Sequence, residues 1–220
     1  MRHQDIYIQL TSLPLLQGIN AEDLLMLQER EVLRMVSIEP DEGNVINRGQ
    51  QCKTLIMLMQ GSLQCQTIGD GWTLAEELHA PAMIEEEALW SLSQTYHRNY
   101  RPLCEGKLLV INRGHVMQTL MRNEVFRMNL LARMASRLEK YMIESQTTSN
   151  NNINHKILSF VRKCAYTNSM PKTMNIKMKR LAEIVEETRL NVSKALHEME
   201  LEGIVSIARE EIIINRFYSE

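Results

Sequence analysis

Arg180-Leu-Ala-Glu-Ile-Val-Glu-Glu-Thr-Arg-Leu-Asn-Val-Ser-Lys-Ala-Leu-His-Glu-Met-Glu-Leu-Glu-Gly-Ile-Val205 decides the reading of the C-terminal half. A short helix is expected at about Lys179–Glu186 and a second from Thr188 to about Leu201. In the second, Val192, Leu196 and Met199 recur at steps of 4 and 3 and form an inward face, so Arg189, Leu190, Ser193, Lys194 and His197 point outward together. Thr188 is an N-cap whose hydroxyl can take a free backbone N–H, and Gly203 closes the helix. Ile204–Ile207 and Glu211–Asn215 can pair as a hairpin. Two short helices joined by a tight turn and followed by a β-hairpin describe a winged helix-turn-helix. A helix in the major groove reads bases from its N-terminal end, where Arg189 can pair with guanine and Leu190 can meet a thymine methyl. Lys177, Lys179 and Arg180, at the start of the preceding helix, suit phosphates. From Asn150 onward basic residues outnumber acidic ones by two, whereas the remainder is net acidic.

Upstream of this unit, a helix is expected over Ile153–Ala165, with Ile157, Phe160, Val161 and Cys164 apolar, followed by a loop holding Pro171. Residues 146–152 lie in a polar stretch that breaks the helical period and read as a linker. From His115 to Glu144 there is no Pro or Gly. One stripe runs Met117, Met121, Glu124, Met128, Leu131, Ala135, Leu138, Met142 at alternating steps of 4 and 3, a heptad seam with Glu124 its one polar member. A second stripe, Phe126, Leu130, Met134 and Tyr141, lies on another side. One stripe can pack on the N-terminal domain and the other on a second copy of the chain, so residues 115–145 are expected to be a dimerisation helix with Met128, Leu131, Ala135 and Leu138 at its interface.

Residues 1–114 read differently. Asn20 caps an entry helix extending to about Arg34, and from Val36 to Ile111 short apolar runs alternate with turn signals, as in a β-barrel or sandwich. Leu55 to Met59 reads as a strand, Gly61 opens the way into Leu63–Gln66, and Leu108 to Ile111 reads as the last strand.

With 220 residues and a net charge of −2, the chain is neither basic throughout nor an acidic disordered polymer. Its longest apolar run, Leu55–Met59, is too short to span a bilayer, and the N-terminus lacks the apolar segment of a signal peptide, so no membrane contact and a cytoplasmic location are expected. Cys52, Cys65, Cys104 and Cys164 contain no C-x-x-C and are expected to be free thiols.

The Arg180–Val205 stretch resembles the helix-turn-helix of Crp/Fnr transcription regulators. Asn47-Arg48-Gly49, Leu55 to Met59 and Gln60-Gly61-Ser62-Leu63 resemble the cyclic-nucleotide-binding β-roll of that family. The helix with Met134, Arg137 and Leu138 sits where the family has its dimer helix. The resemblance covers nearly the whole chain. It implies an α+β fold with an N-terminal β-roll, a long dimerisation helix and, over residues 153–220, a C-terminal winged helix. It also implies a homodimer that binds a palindromic operator on double-stranded DNA and works with RNA polymerase. Arg189 and Lys194 fall on the two basic positions that face DNA in the family. The position between them that is usually Glu is Leu190, and the usual turn Gly is Glu186, tolerable if its φ stays below zero.

The sensing site departs from the family's cyclic AMP cassette. Glu86 falls on the ribose-binding Glu, Tyr96 and His97 replace the phosphate-binding Arg-Ser, both glycines are missing, and Glu85 and Glu87 add negative charge where an anion would sit. Arg98 and Arg101 could offset this only with a different backbone. Tyr141 and Met142 fall where small hydroxyl residues touch adenine. Glu86, Tyr96, His97, Arg98, Tyr141 and Met142 therefore mark an effector pocket unsuited to cyclic AMP, with the effector unknown. His79, His97, Cys65 and Cys104 are possible haem ligands, but each is isolated, and no cofactor or metal is expected. No catalytic motif occurs, so no enzyme is expected. The rival reading is a regulatory or scaffolding dimer that has lost DNA binding.

Overall fold

The computed structural model describes residues 7–8, 10–29, 32–146 and 152–218. The chain divides into two compact units, one of Met1–Leu63 with His79–Arg137 and one of Gln64–Leu78 with Leu138–Glu220. Among the described residues no helix is long and apolar enough to cross a membrane.

In the first unit, helix α1 (Ala21–Glu29) is capped as its sequence implies: Asn20 Oδ1 accepts the Asp23 N–H at 2.7 Å. It does not extend to Arg34, which instead opens strand β1 (Arg34–Ile38). The reason is tertiary, because β1 pairs antiparallel with a strand more than 65 residues downstream, with Arg34 opposite Val110 and Ile38 opposite Gly106. The chain continues through β2 (Thr54–Gln60), β3 (Ser62–Gly69), β4 (Trp72–His79), β5 (Ala82–Ile84), β6 (Arg98–Pro102) and β7 (Gly106–Asn112). One antiparallel sheet has the order β1-β7-β2-β5. Leu55, Ile56, Met57 and Leu58 of β2 are all buried, so both faces of this central strand are covered, which explains its unbroken apolar run. Gly61 turns β2 into β3 at φ 88°; a Cβ there would lie 2.7 Å from the Glu105 carbonyl oxygen, so only glycine fits. Isolated bridges tie Ile46 to Tyr100 and Gln51 to Thr95.

The stretch read as one helix from His115 is broken. Helix α2 (Arg113–Gln118) and a 3-10 turn (Leu120–Arg122) precede the long helix α3 (Glu124–Gln146). Asn123 makes the break: its Oδ1 accepts the Phe126 N–H at 3.1 Å, a new N-cap, while its amide donates to Asp23 Oδ2 at 3.0 Å. Met117 and Met121 therefore leave the expected seam. Phe126 and Leu130 are buried, and Asn129 Nδ2 donates to the Leu15 and Gln17 carbonyls at 3.3 and 2.8 Å, fixing the inner face of α3 in the first unit. The opposite face, Met128, Leu131, Ala135, Leu138 and Met142, is exposed. Tyr141, placed by its spacing on the inner stripe, is also exposed.

Residues 147–151 of the expected linker lie outside the described residues; Gln146 still belongs to α3, and Asn152 caps the next helix by accepting the Asn154 N–H at 2.9 Å. The second unit contains the β3–β4 hairpin, α4 (Ile153–Cys164), β8 (Lys172–Ile176), α5 (Met178–Ile184), α6 (Arg189–Leu201), β9 (Val205–Ala208) and β10 (Glu211–Ile214). Strand β8 occupies part of what reads as a loop after Pro171. It pairs with β4 on one side and β10 on the other, and β10 pairs with β9, all antiparallel. Leu74 of β4 shares one core with Ile157, Met174, Leu181, Leu196 and Ile212. Trp72 meets Phe160 edge to face, with ring centroids 5.4 Å apart.

Candidate functional site

Helix α6 carries the expected outward set. Thr188 Oγ1 accepts the Asn191 N–H at 3.2 Å, satisfying one free donor at the helix start. Val192, Ala195, Leu196 and Met199 are buried, while Arg189, Leu190, Ser193, Lys194 and His197 are exposed, Leu190 at 65%. Gly203 leaves the helix at φ 70°. A concavity of about 340 Å³ between the start of α5, the start of α6 and the β9–β10 hairpin is lined by Lys177, Lys179 and Arg189, by the carboxylates Glu210 and Glu211 of the hairpin, and by Ile207 and Ala208. Three cations and two carboxylates thus border a cleft beside the exposed end of a capped helix, a net excess of one positive charge, with Lys177, Lys179 and Arg189 the groups that can meet a polyanion backbone there. Arg180 does not join them. Its Nε donates to the Asp70 carbonyl at 3.0 Å, and its two terminal nitrogens pair with Asp70 Oδ2 at 2.7 Å and Glu183 Oε2 at 3.1 Å. The β3–β4 turn, a contact invisible to local sequence, takes this guanidinium away from the phosphate role expected of it.

The acidic triplet is the second feature. Glu85 is fully buried with φ 38°, the left-handed conformation in which glycine is favoured. Its carboxylate accepts the His97 N–H at 2.7 Å and the Tyr100 hydroxyl at 3.0 Å and lies 3.5 Å from Arg98. Glu86, equally buried, accepts Arg133 Nε at 2.7 Å and a second Arg133 nitrogen at 2.6 Å, and its other oxygen lies 3.3 Å from Arg137. Arg137 also pairs with Glu87. Burial pushes the Glu87 carboxyl above its usual range, while Arg137 pulls the other way and Glu86 adds to the rise.

The other expected pocket residues scatter. Tyr96 is buried, and its hydroxyl donates to the Thr54 carbonyl at 3.3 Å and neighbours Cys52. The His97 side chain is exposed, and Tyr141 and Met142 are exposed on the part of α3 that belongs to the second unit. Of the six residues, Glu86, Arg98 and the backbone of His97 are bonded within the triplet or to it, and Tyr96 lies close enough to Glu85 to feel its charge. Arg133 was missed by sequence reasoning. The signal available was a helix face, Phe126, Leu130, Arg133, Arg137, that turns from apolar to cationic at steps of 4, 3 and 4. Among the described residues no group of three or more His, Cys, Asp or Glu side chains could hold a metal ion.

The same architecture occurs in solved regulators. The catabolite activator protein of Thermus thermophilus matches with a TM-score of 0.52 at 18% identity, over 92% of this chain and 93% of that one. The c-di-GMP responsive global regulator CLP of Xanthomonas campestris matches at 0.51 and 14%, over 90% and 100%. A protein described as a Crp/Fnr-family transcriptional regulator from Eubacterium rectale matches at 0.50 and 16%, over 93% and 94%. The chain has the Crp/Fnr regulator fold. At these identities the likeness is one of fold; no family model matches the sequence, and no curated protein matches it.

Of the acidic residues with positive φ, two lie at sites singled out above, and the second stands where the resemblance has its turn glycine. One is Glu85; the other is Glu186, between α5 and α6, whose φ is +56° rather than negative. The turn requires the conformation, because it brings the Glu187 N–H to the Ala182 carbonyl at 3.0 Å. A left-handed non-glycine residue costs about 1–2 kcal/mol, partly offset in glycine's case by about 0.5–1 kcal/mol of extra chain entropy. Glu186→Gly is expected to stabilise the protein by up to about 1 kcal/mol in urea titrations. An unchanged or lowered midpoint would show that the turn relaxes around glutamate without strain.

Proposed function

We propose that the chain is a homodimeric, sequence-specific DNA-binding transcription regulator of the Crp/Fnr family, with α5 and α6 as a helix-turn-helix, β9–β10 as its wing and RNA polymerase as a partner. One observation carries the reading: Arg189, Leu190, Ser193 and Lys194 stand exposed on the first half of a capped helix beside a cleft bordered by Lys177 and Lys179. The exposed Met128, Leu131, Ala135, Leu138 face of α3 supplies the dimer seam. The solved regulators of similar fold support the same reading by their descriptions.

A two-fold dimer selects a palindrome whose half-site centres lie about 10–10.5 base pairs, or a multiple of that, apart. In selection from random duplexes, Arg189→Ala is expected to relax preference at one position per half-site, at about 1–3 kcal/mol per lost bidentate guanine contact. Leu190 is expected to favour a thymine methyl at the neighbouring position. Lys179→Ala is expected to weaken all sequences nearly equally and flatten the salt dependence, since a phosphate contact carries little base information. If the wild type enriches no palindrome, the scaffolding dimer takes the regulator's place.

A further inference from the structure

The sensing unit contains three buried or half-buried carboxylates, Glu85, Glu86 and Glu87, and three guanidiniums set against them, Arg98, Arg133 and Arg137. The two sets balance in charge. An anionic molecule entering here would meet carboxylates, and a cationic one would have to displace arginines already tethered to the same fold. Arg133 and Arg137 lie one helical turn apart on the face of α3 that also buries Phe126 and Leu130, so the ion pairs and the apolar contacts hold the same face. The exposed seam residues lie on the opposite face, so whatever seats α3 on the sensing unit also sets how the seam is presented to a second copy.

Resting on the regulator reading above, we propose that this six-residue cluster is a built-in substitute for an effector: it clamps α3 to the sensing unit, and operator binding requires no small molecule at this site. The Glu86–Arg133 pair is the centre of the clamp. Two of the three Arg133 guanidinium nitrogens reach one oxygen of a carboxylate shielded from water, where charge-assisted hydrogen bonds are strong and losing one partner is costly. The left-handed backbone of Glu85 is consistent with a segment held for a purpose, because such strain persists where surrounding structure over-determines it.

The test compares full-length protein purified natively with the same protein unfolded in guanidinium, desalted and refolded, so that co-purifying small molecules are gone. Hydrogen–deuterium exchange over residues 124–137 is expected to agree within about twofold between the two preparations and to stay unchanged with about 1 mM cyclic AMP or cyclic di-GMP. Both preparations are expected to bind the selected operator within about threefold of each other. R133Q and E86Q are each expected to speed exchange over 124–137 about tenfold or more, the consequence of losing a charge-assisted pair, while residues 153–201 exchange as before.

Faster exchange over 124–137 in the refolded wild type, slowed again by either nucleotide or by the small-molecule fraction that heating releases from native protein, overturns the proposal. That comparison needs no variant, so it stands even where R133Q fails to fold. Wild-type exchange in both variants also overturns it. If neither preparation enriches any duplex while 124–137 stays protected without small molecules, the regulator reading falls and the clamp remains.

Discussion

In the homodimer proposed above, Leu131→Asp combined with Leu138→Asp is expected to leave a folded monomer in analytical ultracentrifugation. Both leucines are exposed in the single chain, at 62% and 60%, and they share a face of α3 with Met128 and Ala135. Side chains of this size at 3- and 4-residue spacing are what a coiled-coil seam requires of its a and d positions. Each leucine lost from such a seam costs about 2–5 kcal/mol, and two-fold symmetry places each loss at two sites. Aspartates from two copies facing each other add repulsion and the desolvation of charge. The fold of the single chain should survive, because the opposite face of α3 is held separately by Phe126, Leu130, Asn129 and the arginine clamp. A halved mass with a cooperative melting transition, at a temperature below that of the wild type because association no longer stabilises the folded chain, is the expected pair of results. A stable dimer in the double variant would place the interface elsewhere.

What could be read in the sequence was what local chemistry determines. The cap at Thr188, the alternation of Val192, Leu196 and Met199 with Arg189 and Lys194, and the stop at Gly203 all act within one helix, and α6 has the expected bounds. The apolar run Leu55–Met59 read as a strand because it is short and bounded by turn signals, and Leu55–Leu58 are buried in β2. What could not be read depends on partners far along the chain. Asn123 is tolerable inside a helix and equally good at its start, and what holds it at the start includes Asp23, 100 residues upstream. Arg133 looks like any solvated helix residue until Glu86 is known to face it. Glu85 and Glu87 looked like uncompensated negative charge for the same reason. Glu186 has its positive φ because the packing of α5 against α6 demands that turn, and side-chain identity gives no sign of it.

Lys172 is the sharpest such case, and it carries the second large expectation. The residues that follow Pro171 read only as part of a loop, yet Lys172–Ile176 form β8, with Lys172 on the inward side of the strand with Met174 and Ile176. Its ammonium donates to Glu76 Oε2 at 2.6 Å and to the Thr167 carbonyl at 2.8 Å. Glu76 in turn accepts the Tyr166 N–H at 2.6 Å, the Thr167 N–H at 3.1 Å and the Thr167 hydroxyl at 2.9 Å. The pair therefore joins β4, β8 and the loop between α4 and β8 within the second unit, with its hydrogen-bonding capacity largely used. Removing one member of a buried pair costs about 3–5 kcal/mol, because the other charge stays in the interior without compensation. Lys172→Met is expected to lower the unfolding free energy of the second unit by that amount in urea titrations. Glu76→Gln in the same background should recover a large part of it, since the neutral amide no longer demands a cation and its oxygen can still accept the Tyr166 N–H. Replacing both members of a pair is often close to neutral, so the double variant separates lost charge compensation from the ammonium's other lost hydrogen bond. If the double variant is as unstable as Lys172→Met alone, the lost ammonium hydrogen bond to the Thr167 carbonyl explains the loss and charge compensation does not. If Lys172→Met itself costs less than about 1 kcal/mol, the ammonium is solvated in solution and the hairpin is held by strand pairing and the Trp72–Phe160 contact.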